Sequence, residues 1–135
     1  MPSAQSSPKP TDSELAILAV LWQRGPCTVR QVLDQLRRDR FGSRKTVGYT
    51  TILKLMQIMA DKGLVDRDES DRTHVYRASR LATEQHTQRR LVRDLLDRAF
   101  GGSARKLVLH ALAEGAASKQ ELAEIRKMID DEMKS

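Results

Sequence analysis

The first 62 residues contain three segments in which apolar side chains recur at helical spacing. A T-x-x-E capping box at Thr11 begins the first helix, and Gly25 with the following proline ends it. A second box at Thr28 begins the next helix, and a third runs from about Thr46 to Asp61. The predicted inward faces consist of Leu15, Ile17, Leu18, Leu21, Trp22, Val29, Val32, Leu33, Leu36, Ile52, Leu55, Met56 and Met59.

The pattern then changes from helical spacing to short extended runs. LVDRD at 64–68 and THVYR at 73–77 are rich in Val, Thr and Tyr, and the polar turn ESDR separates them. Three helices followed by a hairpin are typical of a winged helix-turn-helix, in which a β-ribbon follows the DNA-reading helix.

Three further helices are predicted after residue 81, with a break at Gly101-Gly102 and a third capping box at Ser118. These helices are too short and too few to bury their apolar faces within one chain, so a partner chain is expected to cover them. The sequence therefore predicts a homodimer. Its predicted interface consists of Leu91, Leu95, Leu96, Phe100, Leu107, Val108, Leu112, Leu122, Ile125 and Ile129.

The predicted fold is mainly α with a small β-hairpin wing. A disordered arm at residues 1–10 precedes a winged-helix DNA-binding domain at 11–80, and a helical dimerisation region follows at 81–135. No apolar run approaches a membrane span or a signal peptide, so we expect a cytoplasmic protein without direct membrane binding.

The composition bears on which ligands the protein can bind. Cys27 is the single cysteine, and the three histidines are scattered, so neither a disulfide, a metal site nor a cofactor is predicted. Residues 1–80 contain 14 basic and 9 acidic residues, a net charge of +5, whereas residues 81–135 carry only +1. The positive charge therefore lies in the half that a nucleic-acid-binding protein would place against phosphates.

The outward face of the third helix carries the candidate base-reading residues. Short polar side chains and one cation suit a major groove, because hydroxyl, amide and ammonium groups reach base edges there. These residues are Thr50, Thr51, Lys54 and Gln57. The candidates for phosphate and wing contacts are Arg44, Lys45, Thr46, Tyr49, Lys62, Arg67, Arg72 and His74. Four acidic residues in the wing indicate that it touches the backbone only lightly, and Trp22 and Tyr76 are expected to pack internally.

The motifs together resemble the penicillinase-repressor family, which includes the methicillin-resistance repressors. The resemblance covers about residues 11–130. The segments that carry it are TDSEL at 11–15, VLW at 20–22, GPCTVRQV at 25–32, YTTIL at 49–53, KGLVDRD at 62–68, HVYRA at 74–78, LLDRAFGGS at 95–103 and SKQEL at 118–122.

The resemblance implies a dimeric repressor of inducible genes that binds dyad-symmetric operators. In the best-known members a membrane sensor with a zinc-protease domain triggers cleavage between the two residues that precede the GGS segment, which here would be the Ala99–Phe100 bond. Ala99 stands where those members carry Asn, and Asp71 replaces the usual glycine of the wing turn. The paired cysteines of copper-sensing relatives are missing, so copper sensing is not expected.

Two other classes of function compete with this interpretation. An enzyme is disfavoured, because no nucleophile elbow, phosphate-binding glycine loop or zinc motif occurs in the sequence. A winged helix used purely as a protein-interaction module remains open, and salt-sensitive binding to the DNA upstream of its own gene would separate it from a repressor.

Overall fold

The computed structural model describes residues 9–39 and 47–135. Most of the predicted N-terminal arm therefore lies outside the described residues. The same holds for three of the predicted phosphate contacts, Arg44, Lys45 and Thr46.

Three helices form the first part of the fold: α1 (Asp12–Arg24), α2 (Val29–Asp39) and α3 (Tyr49–Lys62). Both predicted capping boxes at their N-termini are confirmed. The Thr11 hydroxyl accepts from the Glu14 amide at 3.2 Å, and the Glu14 carboxylate accepts from the Thr11 amide at 2.9 Å. Thr28 makes the same reciprocal pair with Gln31. Local side-chain chemistry therefore sets where two of the three helices begin.

Helix α3 begins at Tyr49 rather than near Thr46, with Gly48 in an extended conformation as its N-cap. Its C-terminal end agrees with the prediction. Gly63 adopts φ 83° and ψ 13°, a left-handed conformation that glycine accepts without steric cost, and it directs the chain into the sheet.

A three-stranded antiparallel sheet adjoins the helices, where the sequence predicted only a hairpin. Strands β2 (Val65–Asp68) and β3 (Val75–Ala78) form that hairpin, and β1 (Cys27–Thr28) pairs with β3 so that the order is β1-β3-β2. The prediction missed β1 because a two-residue strand has no periodicity of its own. Only its pairing with Val75 and Tyr76 defines it.

The hydrophobic core lies between the three helices and the sheet. Its buried apolar residues are Ala16, Ile17, Leu18, Val20, Leu21, Cys27, Val29, Val32, Leu33, Leu36, Ile52, Met56, Met59, Leu64, Val65, Tyr76 and Ala82. Trp22 and Leu55 are partly buried against it, so the predicted inward faces are correct in outline. The core therefore holds α3 by its apolar face and leaves the opposite face of the helix exposed.

The chain continues through a short 3-10 turn (Arg80–Ala82) into α4 (Glu84–Arg98), α5 (Ala104–Ala113) and α6 (Lys119–Met133). Helix α4 starts seven residues before its first predicted apolar position, Leu91. The chain divides into two compact units after Arg90, ten residues beyond the predicted boundary. No residue from 91 to 135 is buried in the single chain.

Candidate nucleic-acid interface

The face of α3 opposite the core presents the predicted base-reading side chains. Thr50, Thr51, Lys54 and Gln57 are all exposed, whereas Ile52, Met56 and Met59 on the other face are buried. The buried face anchors the helix on the core, so these four polar groups project from a rigid support. Hydroxyl, ammonium and amide groups on one such face can bind base edges in a major groove.

A groove of about 220 Å³ lies beside this face, between the N-terminal ends of α2 and α3 and the wing. We call it the wing groove. Its polar lining consists of Thr28, Arg30, Tyr49, Arg72, Thr73 and His74. Val29, Leu53 and Tyr76 complete the lining among the described residues, and none of the described lining residues is acidic. Three predicted wing or phosphate residues, Tyr49, Arg72 and His74, therefore share one concave surface with Arg30, which sequence analysis did not single out.

The Arg30 guanidinium lies over the Tyr49 ring, 5.1 Å from the ring centroid. This cation–π contact links the first turn of α2 to the first turn of α3. No sequence signal pairs these residues, because they are distant along the chain and on different helices. Only their packing places the guanidinium in the wing groove.

Some charged side chains of the wing are paired with neighbouring groups in the wing itself. Arg67 forms an ion pair with Glu69, and a hydrogen bond to Tyr76 together with the Glu69 charge raises the pKa of Arg67. Hydrogen bonds from the Ser70 amide and hydroxyl lower the pKa of Asp68, so this carboxylate stays ionised near the hairpin turn. These contacts leave Arg72 and His74 as the more available of the predicted wing residues.

Lys62 occupies a different environment from the other predicted phosphate contacts. Its ammonium donates to both oxygens of Glu14, at 2.8 and 2.9 Å, and the Glu14 residue is only 2% exposed. Burial alone would raise the pKa of Glu14, but hydrogen bonds from Lys62 and Thr11 outweigh it and lower that pKa. The contact shown for Lys62 is therefore structural, joining the end of α3 to the start of α1. Its phosphate contact stays a prediction.

Trp22 and Tyr76 pack internally, as predicted. Tyr76 is 1% exposed, and the Trp22 indole nitrogen donates to the carbonyl of Ala82 at 2.9 Å. Burial raises the pKa of the Cys27 thiol, which keeps it protonated within the core. None of these groups is available to DNA bases.

The ten predicted dimer-interface residues are all half-buried or exposed in the single chain. Leu95, Val108, Leu112 and Ile129 are each 44–50% exposed, and Leu122 is 40% exposed. Leu91, Leu96, Phe100, Leu107 and Ile125 are half-buried. The unit from Leu91 onwards therefore exposes apolar surface along all three of its helices.

The predicted cleavage bond directly follows α4. Ala99 is exposed, whereas the Phe100 ring lies 5.9 Å from that of His110 and is half-buried. Gly101 and Gly102 both have positive φ, at 57° and 80°, which ends the helix sharply. The bond thus lies between a regular helix and a turn, next to an exposed side chain.

Among the residues that the structure describes, no group of three or more acidic, His or Cys side chains is arranged to hold a metal ion. In the same part of the chain, no helix combines the length and hydropathy that a membrane crossing requires.

Comparison with known proteins gives a consistent family assignment. The family model described as "Penicillinase repressor" matches residues 10–131. The chain is similar to the "Transcriptional regulator BlaI" of Mycobacterium tuberculosis, with 39% identity over 66 residues. That alignment spans 48% of this chain and 44% of the mycobacterial protein, less than half the length of the relative.

Two other relatives align over nearly their whole length. The "Penicillinase repressor" of Bacillus licheniformis is 22% identical over 129 residues, 92% of this chain and 91% of that protein. The "Methicillin resistance regulatory protein MecI" of Mammaliicoccus sciuri is 20% identical over 120 residues, 89% and 92% respectively. With a family match across almost all of its length and a winged-helix fold, the chain belongs to the penicillinase repressor family.

Proposed function

We propose that this protein is a transcriptional repressor that binds operator DNA as a homodimer in the cytoplasm, and that it is not an enzyme. The observation that carries the proposal is the exposed polar face of α3, with Thr50, Thr51, Lys54 and Gln57 held outward by a buried apolar face. The positive charge of residues 1–80 and the adjoining wing groove support it. The names of the relatives describe regulators and repressors.

The homodimer is supported by the apolar surface of the second unit. Exposed leucine, valine and isoleucine side chains on three consecutive helices are costly in water, and a second copy of the same unit would bury them. A symmetric dimer would then present two α3 helices to two half-sites of a dyad-symmetric operator.

A gel shift with the DNA upstream of its own gene tests the proposal against the protein-interaction alternative. A repressor should form a complex whose affinity falls steeply as salt rises, because protein cations displace counterions from phosphates. The control is a random duplex of the same length, which should bind at least 1000-fold more weakly, on the order of the usual specificity ratio. Equal binding to both duplexes, or no complex at low salt, would contradict operator recognition.

Lys54→Ala and Thr51→Ala should each weaken operator binding and relax sequence preference. Both side chains are exposed on the face of α3 away from the core, so their loss should leave the fold intact. A good base contact contributes about 1–3 kcal/mol of discrimination. The measurement is the ratio of dissociation constants for the upstream DNA and the random duplex. An equal loss on both duplexes would assign Lys54 to the phosphates instead.

We further propose that repression is relieved by cleavage of the Ala99–Phe100 bond through a sensor-protease pathway. The exposure of Ala99 and the two glycines after Phe100 support this, because a fraying helix end admits a protease without global unfolding. Cleavage would detach α5 and α6 from α4. The DNA-binding half would then bind half-sites singly, and repression would fail through lost avidity.

Induction of cells with a cell-wall antibiotic, followed by mass spectrometry of the repressor, tests this route of release. Fragments that end at Ala99 should accumulate as the target genes are derepressed. An Ala99→Asp variant changes the exposed residue before that bond and leaves the Phe100 side chain in place, so it should be cleaved more slowly and keep the genes repressed. Derepression with only intact wild-type chain present would exclude cleavage as the mechanism.

A further inference from the structure

The wing groove is lined by positive and neutral polar groups. Arg30 comes from α2, and Arg72 and His74 come from the wing, so cationic or protonatable groups converge from two directions. Within residues 9–39 and 47–135, no acidic residue lines it and Arg30 makes no ion pair. A concave surface of this composition suits an anion.

The Tyr49 ring holds Arg30 before any ligand is present. The guanidinium lies over the ring, 5.1 Å from its centroid, and this cation–π contact does not use its N–H groups as donors to oxygen, so they stay available for oxygen atoms. A side chain already restricted in this way loses less conformational entropy on binding than a free surface arginine. The stacked pair is therefore suited to bidentate recognition of two oxygens of a phosphate.

The position of the groove identifies the source of the phosphate. It adjoins the first turn of α3, and Tyr49 directly precedes Thr50 and Thr51 of the base-reading face. When the N-terminal residues of a recognition helix contact base edges in the major groove, the preceding helix crosses the DNA backbone, so a groove between the N-terminal ends of α2 and α3 lies close to that backbone.

We propose that the wing groove binds one backbone phosphate of the operator, that Arg30 is the residue that contacts it, and that Tyr49 positions Arg30. This inference rests on the proposed function and adds a contact that fixes the register of α3 on the duplex. Arg72 supplies a second charge from the wing side of the same groove.

The first test compares salt dependence of binding to the upstream DNA for Arg30→Ala and a matched control, Arg80→Ala. Arg80 is also exposed, but it follows β3 at the end of the hairpin away from the turn. We expect Arg30→Ala to lower affinity about 10-fold near physiological salt and to reduce the slope of log K against log salt by about one. Arg80→Ala should change neither quantity.

The second test removes the charge from the DNA instead of the protein. Duplexes with single neutral methylphosphonate substitutions across the footprint should include one position that weakens wild-type binding but not Arg30→Ala binding. That non-additivity identifies a direct contact. Tyr49→Leu should lower the salt slope as Arg30→Ala does. Tyr49→Phe should keep the wild-type slope, because the ring rather than the hydroxyl positions Arg30.

The outcomes separate this inference from the proposed function. If the wild type forms no salt-sensitive complex, the proposed function fails. The phosphate contact is overturned, while the repressor function stands, if the wild type binds but Arg30→Ala has the same affinity and salt slope as Arg80→Ala. The same holds if no methylphosphonate position is non-additive with Arg30→Ala. Loss of slope in Tyr49→Phe would overturn the assignment of the positioning role to the ring, and a loss of affinity with an unchanged slope would assign a separate contact to the tyrosine hydroxyl.

Discussion

Replacing Val108 and Leu112 together by aspartate should convert the proposed dimer into a monomer and weaken binding to a full operator by about 100-fold or more. The two residues lie one turn apart on α5 and are 44% and 45% exposed in the single chain. Burying two carboxylates in an apolar interface is strongly unfavourable, and without the dimer each half-site binds independently. Light scattering at micromolar concentration and operator titrations measure the two effects.

Arg105→Asp on the same helix is the matched control, since it introduces the same side chain at an exposed position in the first turn. It should leave the protein dimeric. Binding of the double variant to a single half-site should equal that of the wild type, because the α3 face is unchanged. A double variant that remains dimeric would place the interface elsewhere.

Lys62→Met should lower the free energy of unfolding by about 2–3 kcal/mol at pH 7. It removes the partner of Glu14, which is 2% exposed and would be left as a buried, unpaired carboxylate. Breaking a fully buried pair in this way costs about 3–5 kcal/mol, and we expect less because the Lys62 side chain is 32% exposed. Urea denaturation measures the difference. The control is Lys54→Met on the same helix, whose free energy of unfolding should stay within about 0.5 kcal/mol of the wild-type value.

The pH dependence of stability provides a second signature of the same ion pair. The pKa of Glu14 in the folded protein lies below its ordinary value of 4.5, so the folded state binds fewer protons than the unfolded state in this range. The stabilisation is therefore complete above pH 4.5 and is lost as pH falls through the lower, folded-state pKa. The difference in free energy of unfolding between the wild type and Lys62→Met should become smaller below pH 4.5, as Glu14 becomes protonated. A stability difference that does not change with pH would contradict the role of the Glu14–Lys62 ion pair.

The same variant decides the open question about Lys62. At low denaturant the folded variant is sufficiently populated for DNA titration. If its salt slope equals that of the wild type, Lys62 makes no phosphate contact; a slope lower by about one would show that it makes both contacts.

The capped helix starts, several helix ends and the exposed apolar faces of the second unit could be predicted from the sequence because their signals are local. The boxes at Thr11, Thr28 and Ser118 each involve residues three apart, and all three form as expected. The apolar spacing after residue 90 also predicted exposed faces, since a helix exposes whatever its own unit cannot cover. The outward face of α3 followed in the same way from the inward one.

Tertiary structure alone decided the pairings between distant residues. Strand β1 exists because Cys27 and Thr28 meet β3, and Glu14 binds Lys62 across 48 positions of sequence. The stacking of Arg30 on Tyr49, and with it the wing groove, likewise depends on how α2 and α3 pack. Helical spacing determines which side of an element is buried, but it contains no information about which distant side chain lies opposite. That is set by the packing of the core, which is why the charged residues of this fold could be counted from the sequence but not paired.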